Sequence, residues 1–526
     1  MSPLLRRILL LALVALTVVL RLWNISKNSI TQDESTMVLF AQGVLERGYP
    51  FLRQANAEFV ISTYEIVPFP IAASMALFGQ NEFAVRLPAV FFAAGTAILM
   101  FQFGRKLFDE WVGFLAVLLF AVLPWAIYWG SNAFYPSQVG FFSLATTMVV
   151  HRLIEEERPK TWVFYALAFT FIGAYLSWEG TGFLLPCFFV IILVQRWGRF
   201  HWMLDVHGWI AASIMIFVIV AQLTYRTVLR DPYLGIHVGR SEISFATLAF
   251  KGIAFDPYFY LTGMFSEAHI TIAGALGLGL LLLKESRSLR FLYLFFGLVV
   301  LMLTAFLGYY ALRYVYLALP SLLLSAAAVS VTLVNKLTGP RSTVSQALGL
   351  AAVTALHLTV ATPWGFKPIE SAHLLGEVRP YEMRQDLSGF PFRGTAQALK
   401  DRMRKGDILI VQAPFPFQVY TGLRGDYFMQ SQLATSVFYD PKSSPYYTDK
   451  WVANPILRNR EELDDVLMHH SRVWLVSAPD GASQLSIGDE LYRYFEERAK
   501  LVEETADGKL FLYERPGLIA GDTVSQ

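Results

Sequence analysis

The chain has 526 residues, of which 55% are hydrophobic, 15% aromatic and only 16% charged, against roughly 25% charged in an ordinary soluble protein. That composition excludes a protein soluble along its whole length. A net charge of +2, from 43 basic and 41 acidic residues, excludes the broad positive field that draws nucleic acid. The single cysteine, Cys187, excludes an intramolecular disulfide framework and a thiolate metal cluster.

Between Met1 and about Thr362, apolar runs recur at 8–22, 83–104, 111–129, 137–154, 161–178, 182–196, 208–225, 268–283, 291–308, 313–334 and 345–362. Each approaches the ~20 residues that cross a ~30 Å hydrocarbon core as helix, so the pattern predicts a polytopic α-helical membrane domain of about eleven spans over 1–362. No such run follows Pro363, and residues 363–526 read as a separate soluble domain. The first run begins with the basic residues of a signal peptide. No small-residue cleavage site precedes Arg21, Leu22 and Trp23, so it reads as a retained anchor. The apolar stretch Tyr64–Phe78 is short and reads as a helix on the outer surface, because counting it as a span would reverse every later loop.

With the N-terminus in the cytoplasm, Arg6, Arg7, Arg105, Lys106, Arg152, Arg158, Lys160, Arg196, Arg199, Lys284, Arg287, Arg290, Lys336 and Arg341 all fall on inner segments. The short outer loops 130–136, 179–181 and 309–312 carry no lysine or arginine. This orientation places the long segments 23–82 and 226–267 and the C-terminal domain outside the cytoplasm. The basic inner loops and single cysteine fit a multi-pass protein of the prokaryotic inner membrane.

Asp33 and Glu34, in Thr31-Gln32-Asp33-Glu34-Ser35, follow the first span by about ten residues. Adjacent carboxylates can divide labour: mutual repulsion separates their pKa values, so one can take a proton from an acceptor hydroxyl or amine while the other orients it. The same residues suit the first turn of a helix running through Met37, Phe40, Ala41 and Leu45, where the helix dipole favours negative charge. Both readings stand at this point.

Further on come Tyr64-Glu65, Pro68 and the run Leu77-Phe78-Gly79-Gln80-Asn81-Glu82-Phe83-Ala84-Val85-Arg86-Leu87-Pro88. With the acidic pair, this combination resembles the GT-C superfamily of integral-membrane glycosyltransferases, particularly the branch of the lipid A aminoarabinose transferases and protein O-mannosyltransferases. There an Asp-Glu pair opens the first outer loop, a Glu-Lys-Pro-Pro stretch follows, and a segment like Phe-Gly-x-x-Glu-Phe-x-x-Arg-Leu-Pro leads into the next span. A second likeness is Arg313-Tyr314 followed by Leu319-Pro320. Arg313 also has a direct argument, since a guanidinium at the membrane edge suits the phosphate of a lipid carrier, although interfacial snorkelling places arginine there too.

Two departures limit the transfer of roles. Ile66 and Val67 stand where relatives carry Lys and Pro, and the second outer loop, Trp129-Gly130-Ser131-Asn132-Ala133-Phe134-Tyr135-Pro136, lacks the Arg-x-x-x-Asp carboxylate. Glu179, at the outer end of a span, is a carboxylate whose position between apolar runs points to use, or it simply faces water. Glu65 matches the family Glu and reads either as a sugar or acceptor contact or as a helix-start charge. No role is assigned within the aromatic loop 226–266, and His237 and His269 lack metal-ligand spacing. A divalent cation is left open, with no ligand set.

The C-terminal domain alternates β-like runs at 407–412, 472–477 and 510–513 with helical patterns at 394–404, 460–469 and 488–499, which predicts a small α/β fold. His469-His470 reads as a surface or core pair, and no phosphate-binding or dinucleotide fingerprint occurs. What the resemblance implies is transfer of a monosaccharide, hexosyl or pentosyl, from a polyprenyl-phosphate carrier to a cell-envelope lipid, glycan or protein, with inversion. Asp33 would then be the base, Glu34 an orienting group, Arg313 would lie at the carrier phosphate, Glu65 at the sugar or acceptor, and Tyr64, Glu179 and Tyr314 would be further substrate-binding residues. Membrane lipid is the surrounding partner. The competing classes are a lipid flippase or transporter and a noncatalytic membrane subunit. The first would show broken midplane helices and inverted repeats, and the second would leave Asp33, Glu34 and Arg313 unused as a set.

Overall fold

A computed structural model describes residues 2–23, 25–26, 29–53, 58–61, 63–195, 205–230, 260–261, 270–306, 312–338, 347–349, 351–352, 355, 392–412, 414–430, 437–438, 447–449, 454–477, 488–505 and 508–515. The chain forms two compact units. The first takes its residues from 1–27, 62–226 and 238–382, and the second from 28–61, 227–237 and 383–526.

The first unit is helical. Its elements are α1 (Pro3–Leu22), then, after α2 (Gln32–Arg47) of the second unit, α3 (Pro68–Phe78), α4 (Glu82–Leu107), α5 (Glu110–Val122), α6 (Pro124–Gly130), α7 (Pro136–Glu155), α8 (Thr161–Ser177), α9 (Leu184–Gln195), α10 (Val206–Thr224), α11 (Ile270–Gly279), α12 (Arg287–Phe306) and α13 (Leu319–Thr338). Among the described residues, five helices are long and apolar enough to cross a membrane: Pro3–Leu22, Glu82–Leu107, Val206–Leu229, Arg287–Ala305 and Leu312–Leu337. A sixth forms if α5 and α6, bent by 71° at Leu123, count as one broken span. The other expected spans are helices at 136–155, 161–177, 179–195 and 270–282, and the run at 345–362 lies largely outside the described residues. This is a multi-pass membrane architecture.

The run 77–88 builds a corner. Gly79, at φ +78°, ends α3 in a conformation that L side chains rarely adopt. Asn81 then caps α4, its Oδ1 accepting from Ala84 N at 2.9 Å while its Nδ2 donates to the Phe78 carbonyl at 2.8 Å. One turn later the buried Arg86 donates to the Ile25 carbonyl at 2.6 Å, tying the corner to the end of α1. The broken helix α5–α6 is held in a similar way. Fully buried Arg21 donates to the carbonyls of Phe120 and Ala126 at 3.0 Å each and of Ala121 at 3.4 Å, and its guanidinium lies over the Phe120 ring. Carbonyls freed at a helix break need partners in an apolar interior, and Arg21 supplies them. A Cβ on Gly130 would fall inside the Arg21 side chain, which is why α6 ends in glycine.

The second unit combines α2 and the hairpin β1 (Phe51–Arg53) and β2 (Glu58–Val60) with the C-terminal residues. Its sheet contains β3 (Ile408–Val411), β4 (Tyr427–Met429), β5 (Val437–Phe438), β6 (Tyr447–Asp449), β7 (Pro455–Leu457), β8 (Arg472–Ser477), β9 (Lys500–Thr505) and β10 (Gly508–Glu514), in the order β5-β6-β7-β4-β3-β8-β10-β9. The centre, β7-β4-β3-β8, is parallel and both edges are antiparallel. Register pairs Leu409 with Trp474 and Ile410 with Leu475. Alternate residues therefore face opposite sides. Leu409, Val411, Trp474 and Val476 pack with Ala396 and Leu399 of α14 (Arg393–Lys400) and Phe417 of α15 (Pro414–Thr421). Ile410, Val473 and Leu475 pack with Leu463 and Val466 of α16 (Arg460–His469) and Leu491 and Phe495 of α17 (Asp489–Glu496). The α/β reading of this region holds, with three strands and three helices at the expected places.

Candidate active site

Within the first unit, the site starts from the turn that precedes α3. The sequence reading started the surface helix at Tyr64. The structure starts it at Pro68, because Tyr64 adopts φ 63°, incompatible with a right-handed helix. The turn is pinned by Ile66 N to the Leu176 carbonyl at 3.3 Å and by Val67 N to the Tyr64 carbonyl at 3.0 Å. Glu65 therefore points from a turn, and its role is not that of a helix-start charge.

Two carboxyls meet there. Glu65 Oε1 accepts from Gln222 Nε2 at 2.9 Å, and Gln222 Oε1 accepts from the Tyr175 hydroxyl at 2.8 Å. Glu65 Oε2 is buried and has no hydrogen-bond partner among the described residues. Burial pushes the Glu65 carboxyl up to about 7. The Gln222 hydrogen bond and the Arg226 charge oppose that rise, while the negative charge of Glu179 adds to it. Glu179, in the single 3₁₀ turn Glu179–Phe183, accepts from the Thr63 hydroxyl and from Arg226 Nη1, the latter at 3.3 Å. Gln222 and Arg226 lie four residues apart on α10 and its π-helical extension Tyr225–Arg230, so one face of the helix serves both carboxyls.

Beside this cluster runs a column of four aromatic rings. Tyr64 stacks on Tyr135 at 5.0 Å between centroids and 7° between planes, Tyr135 on Trp178 at 5.4 Å and 22°, and Trp178 on Tyr314 at 4.7 Å and 9°. Phe134 leans on Tyr64 at 5.1 Å. The Arg313 guanidinium carbon lies 5.9 Å from the Phe134 centroid and 5.8 Å from that of Tyr314. Arg313 and Tyr314 sit on a 3₁₀ segment, Leu312–Ala318, just before α13. Tyr64, Glu65, Glu179, Arg313 and Tyr314, chosen from three separate stretches of sequence, are thereby brought into one neighbourhood.

Asp33 and Glu34 belong to the second unit, in the first turn of α2. Thr31 and Glu34 form a reciprocal capping box: Glu34 N donates to Thr31 Oγ1 at 3.3 Å and Thr31 N donates to Glu34 Oε2 at 3.0 Å. Glu34 is fully buried, and Asp33 is half-buried. The helix continues through buried Met37, Phe40 and Ala41 to an exposed Leu45 and ends at Gly48. Ile30 N, just ahead of the cap, donates to the Tyr420 hydroxyl at 2.7 Å, and α2 packs on α15.

Sequence reading missed Gln222, Arg226, Tyr175, Tyr135 and Trp178. Gln222 carried a usable signal, as the polar residue late in the otherwise apolar α10. The aromatics carried none, because stacking joins residues far apart in sequence. Among the described residues no three His, Cys, Asp or Glu side chains converge as a metal site. His469, whose Nδ1 lies 2.7 Å from the Asp465 carbonyl, is exposed. His237, His269, the rest of 231–259, Tyr309, Tyr310 and the boundary near 362 lie outside the described residues.

Residues 66–225 match the sequence family described as dolichyl-phosphate-mannose-protein mannosyltransferase. No curated protein matches the chain. Among solved structures, apo ArnT from Cupriavidus metallidurans superposes with a TM-score of 0.63 at 11% identity, over 95% of this chain and 97% of that one. The same protein bound to undecaprenyl phosphate gives 0.60 at 10% identity over 95% and 97%. The oligosaccharyltransferase AglB from Archaeoglobus fulgidus, in complex with an inhibitory peptide and a dolichol-phosphate, gives 0.54 at 9% identity over 97% and 74%. The chain has the fold of the GT-C glycosyltransferases. The resemblance read from 77–88 and 313–320 is to the branch that these comparisons select, that of ArnT and the protein mannosyltransferases.

Proposed function

We propose that the protein transfers a hexosyl or pentosyl group from a polyprenyl-phosphate carrier to a lipid, glycan or protein of the cell envelope. The observation that carries this reading is the aromatic column of Tyr64, Tyr135, Trp178 and Tyr314, with the Arg313 guanidinium near Tyr314 and Phe134 and with the carboxyls Glu65 and Glu179 next in sequence to Tyr64 and Trp178. The half-buried outer rings Tyr64 and Tyr314 suit sugar or isoprenoid surface, with Tyr135 and Trp178 buried between them, carboxyls suit hydroxyl groups, and a guanidinium suits a phosphate. The undecaprenyl phosphate bound by ArnT and the dolichol-phosphate bound by AglB support a lipid-phosphate leaving group here. In this reading the protein is a prokaryotic inner-membrane protein of about eleven spans over 1–362, with its N-terminus cytoplasmic and the α/β domain 363–526 outside.

The chemistry is a single displacement with inversion at the anomeric carbon. Asp33 takes the proton of the attacking acceptor, and Glu34, fixed by its capping box, holds the helix start that orients it. Arg313 offsets charge that grows on the departing phosphate, an interaction stronger in the transition state than in the ground state. Tyr64, Glu65, Glu179 and Tyr314 contact the sugar or acceptor. The test is release of labelled sugar from a panel of polyprenyl-phosphate sugars by purified wild type and Asp33→Asn, with envelope extracts as acceptors and a chelator arm. Wild type consumes one donor, and Asp33→Asn, eluting as the same species on size exclusion, is slower by about a thousandfold, within the range of a lost general base. Near-normal turnover by Asp33→Asn would remove Asp33 from the role of base, and chelator sensitivity would add a metal to the site.

A further inference from the structure

We propose that Glu65 works as a neutral carboxylic acid, its Oε2 hydroxyl donating a hydrogen bond to an oxygen of the glycosyl group bound against the aromatic column, with Gln222 as the residue that positions it. The inference rests on the transferase reading above and names the polarity of one contact within it.

The hydrogen-bond pattern sets the polarity. The Gln222 amide N–H must donate, and it donates to Glu65 Oε1. The Gln222 carbonyl is turned the other way, accepting from Tyr175. Oε1 is thus the acceptor oxygen of the carboxyl, as the C=O of an acid would be, and Oε2 is buried with no donor facing it among the described residues. A buried carboxylate oxygen left without donors is costly, whereas a carboxyl O–H at the same place needs only one acceptor. The neighbouring groups agree. Among the described residues, the titratable and charged side chains facing Glu65 are Glu179 from the 3₁₀ turn, Tyr175 from α8 and Arg226 from the extension of α10. The Nη1 of Arg226 and the hydroxyl of Thr63 are both taken by Glu179, so the one cation that faces Glu65 among the described residues is engaged with the other carboxyl. Two carboxyls sharing one paired cation hold one negative charge more easily than two. An acceptor oxygen is what a glycosyl ring or hydroxyl offers beside a stacked aromatic face. A ligand ammonium would instead want Glu65 ionised.

The assignment predicts a titration and a rate profile. Infrared difference spectra of the purified protein between pH 5.5 and 9 should show a neutral carboxyl C=O stretch that disappears with a midpoint near 7 and is absent from Glu65→Gln. Transfer from the donor identified above should fall about tenfold between pH 6 and pH 8 as the neutral fraction falls. Glu65→Gln, which keeps an N–H donor at that position, should flatten the decline so that its rates at the two pH values agree within about twofold. Gln222→Leu removes a hydrogen bond that favours the charged form, so both midpoints should move up by about one pH unit. A purely structural role for Gln222 would lower the rate without moving either midpoint. The inference is overturned by a rate that rises through pH 7, by a Glu65→Gln variant that keeps the wild-type decline, or by an active enzyme with no carboxyl band assignable to Glu65. A band with no donor consumed at any pH would overturn the transferase reading, and with it the glycosyl partner, while leaving the protonation of Glu65 in place.

Discussion

The protein holds two acidic pairs by opposite means. Asp33 and Glu34 stand in a helix start built from neighbours: Thr31 and Glu34 cap each other across three residues, and Gly48 closes the same helix. Glu65 and Glu179 are 114 positions apart in number and are held from farther still, Glu65 by Gln222 across 157 residues and Glu179 by Thr63 across 116. The first arrangement is written in local sequence and survives wherever its helix forms. The second exists only when α8, α10 and the turn before α3 have all packed. A carboxyl held locally can be tuned by its own segment, whereas one held at long range reports on the integrity of the bundle.

That contrast can be broken at several points, and the largest effect falls on the bundle. Arg21→Leu removes the donors that satisfy three carbonyls at the α5–α6 break, and should cost about 3 kcal/mol, read as a lowered midpoint of thermal unfolding in detergent. Arg21→Lys should recover only part, because an ammonium cannot bridge carbonyls in the plane that the guanidinium spans. Next in size, Arg313→Ala should slow transfer by about a hundredfold at saturating donor, comparable to the loss of one preorganised donor at a site of developing charge. If it raises KM alone with kcat intact, Arg313 binds the carrier uniformly and does not act on the departing phosphate. Smaller again, Glu179→Gln and Arg226→Met should each slow transfer about tenfold, and the double variant should be no slower than the worse single one, because either change breaks the same ion pair. Additive losses in that cycle would show that the two side chains act separately. The smallest effect belongs to the local pair: Thr31→Ala removes one half of the capping box and should cost about 1 kcal/mol of stability, with no change in the pH dependence of transfer.

The same contrast explains what the sequence could and could not reveal. The apolar runs marked the helices because burial in lipid demands continuous hydrophobicity, and Gly79, Asn81 and Arg86 were legible as a motif because a helix corner is made by residues in succession. The strands at 408–411, 472–477 and 508–514 were legible from their β-branched and aromatic content, and Trp474 from its place in such a run, although not its bond to Asp407 at 2.7 Å. Individual members of the candidate site were also visible, Glu65 and Arg313 through motif and Glu179 through the cost of a carboxylate between apolar runs. Their partners were not. Nothing near Tyr64 in sequence says that Tyr135, Trp178 and Tyr314 will continue its stack, and the start of α3 was misplaced by four residues because the apolar pattern of 64–78 hides the left-handed backbone at Tyr64. The broken helix after Leu123 could have been suspected from Pro124, whose ring cannot continue the hydrogen-bond ladder, but its partner Arg21 lies about a hundred residues earlier.

The most direct test of group transfer follows both halves of the donor at once. A polyprenyl-phosphate sugar labelled with one isotope in the sugar and another in the phosphate is placed in the outer leaflet of vesicles containing the purified protein, with envelope acceptors outside. Transfer predicts that the labels part, the sugar appearing on the acceptor while the phosphate stays with the lipid. If both labels instead cross the bilayer together and no acceptor is modified, the protein moves lipid-linked sugar and does not transfer it, and the assignments of Asp33 and Arg313 fall.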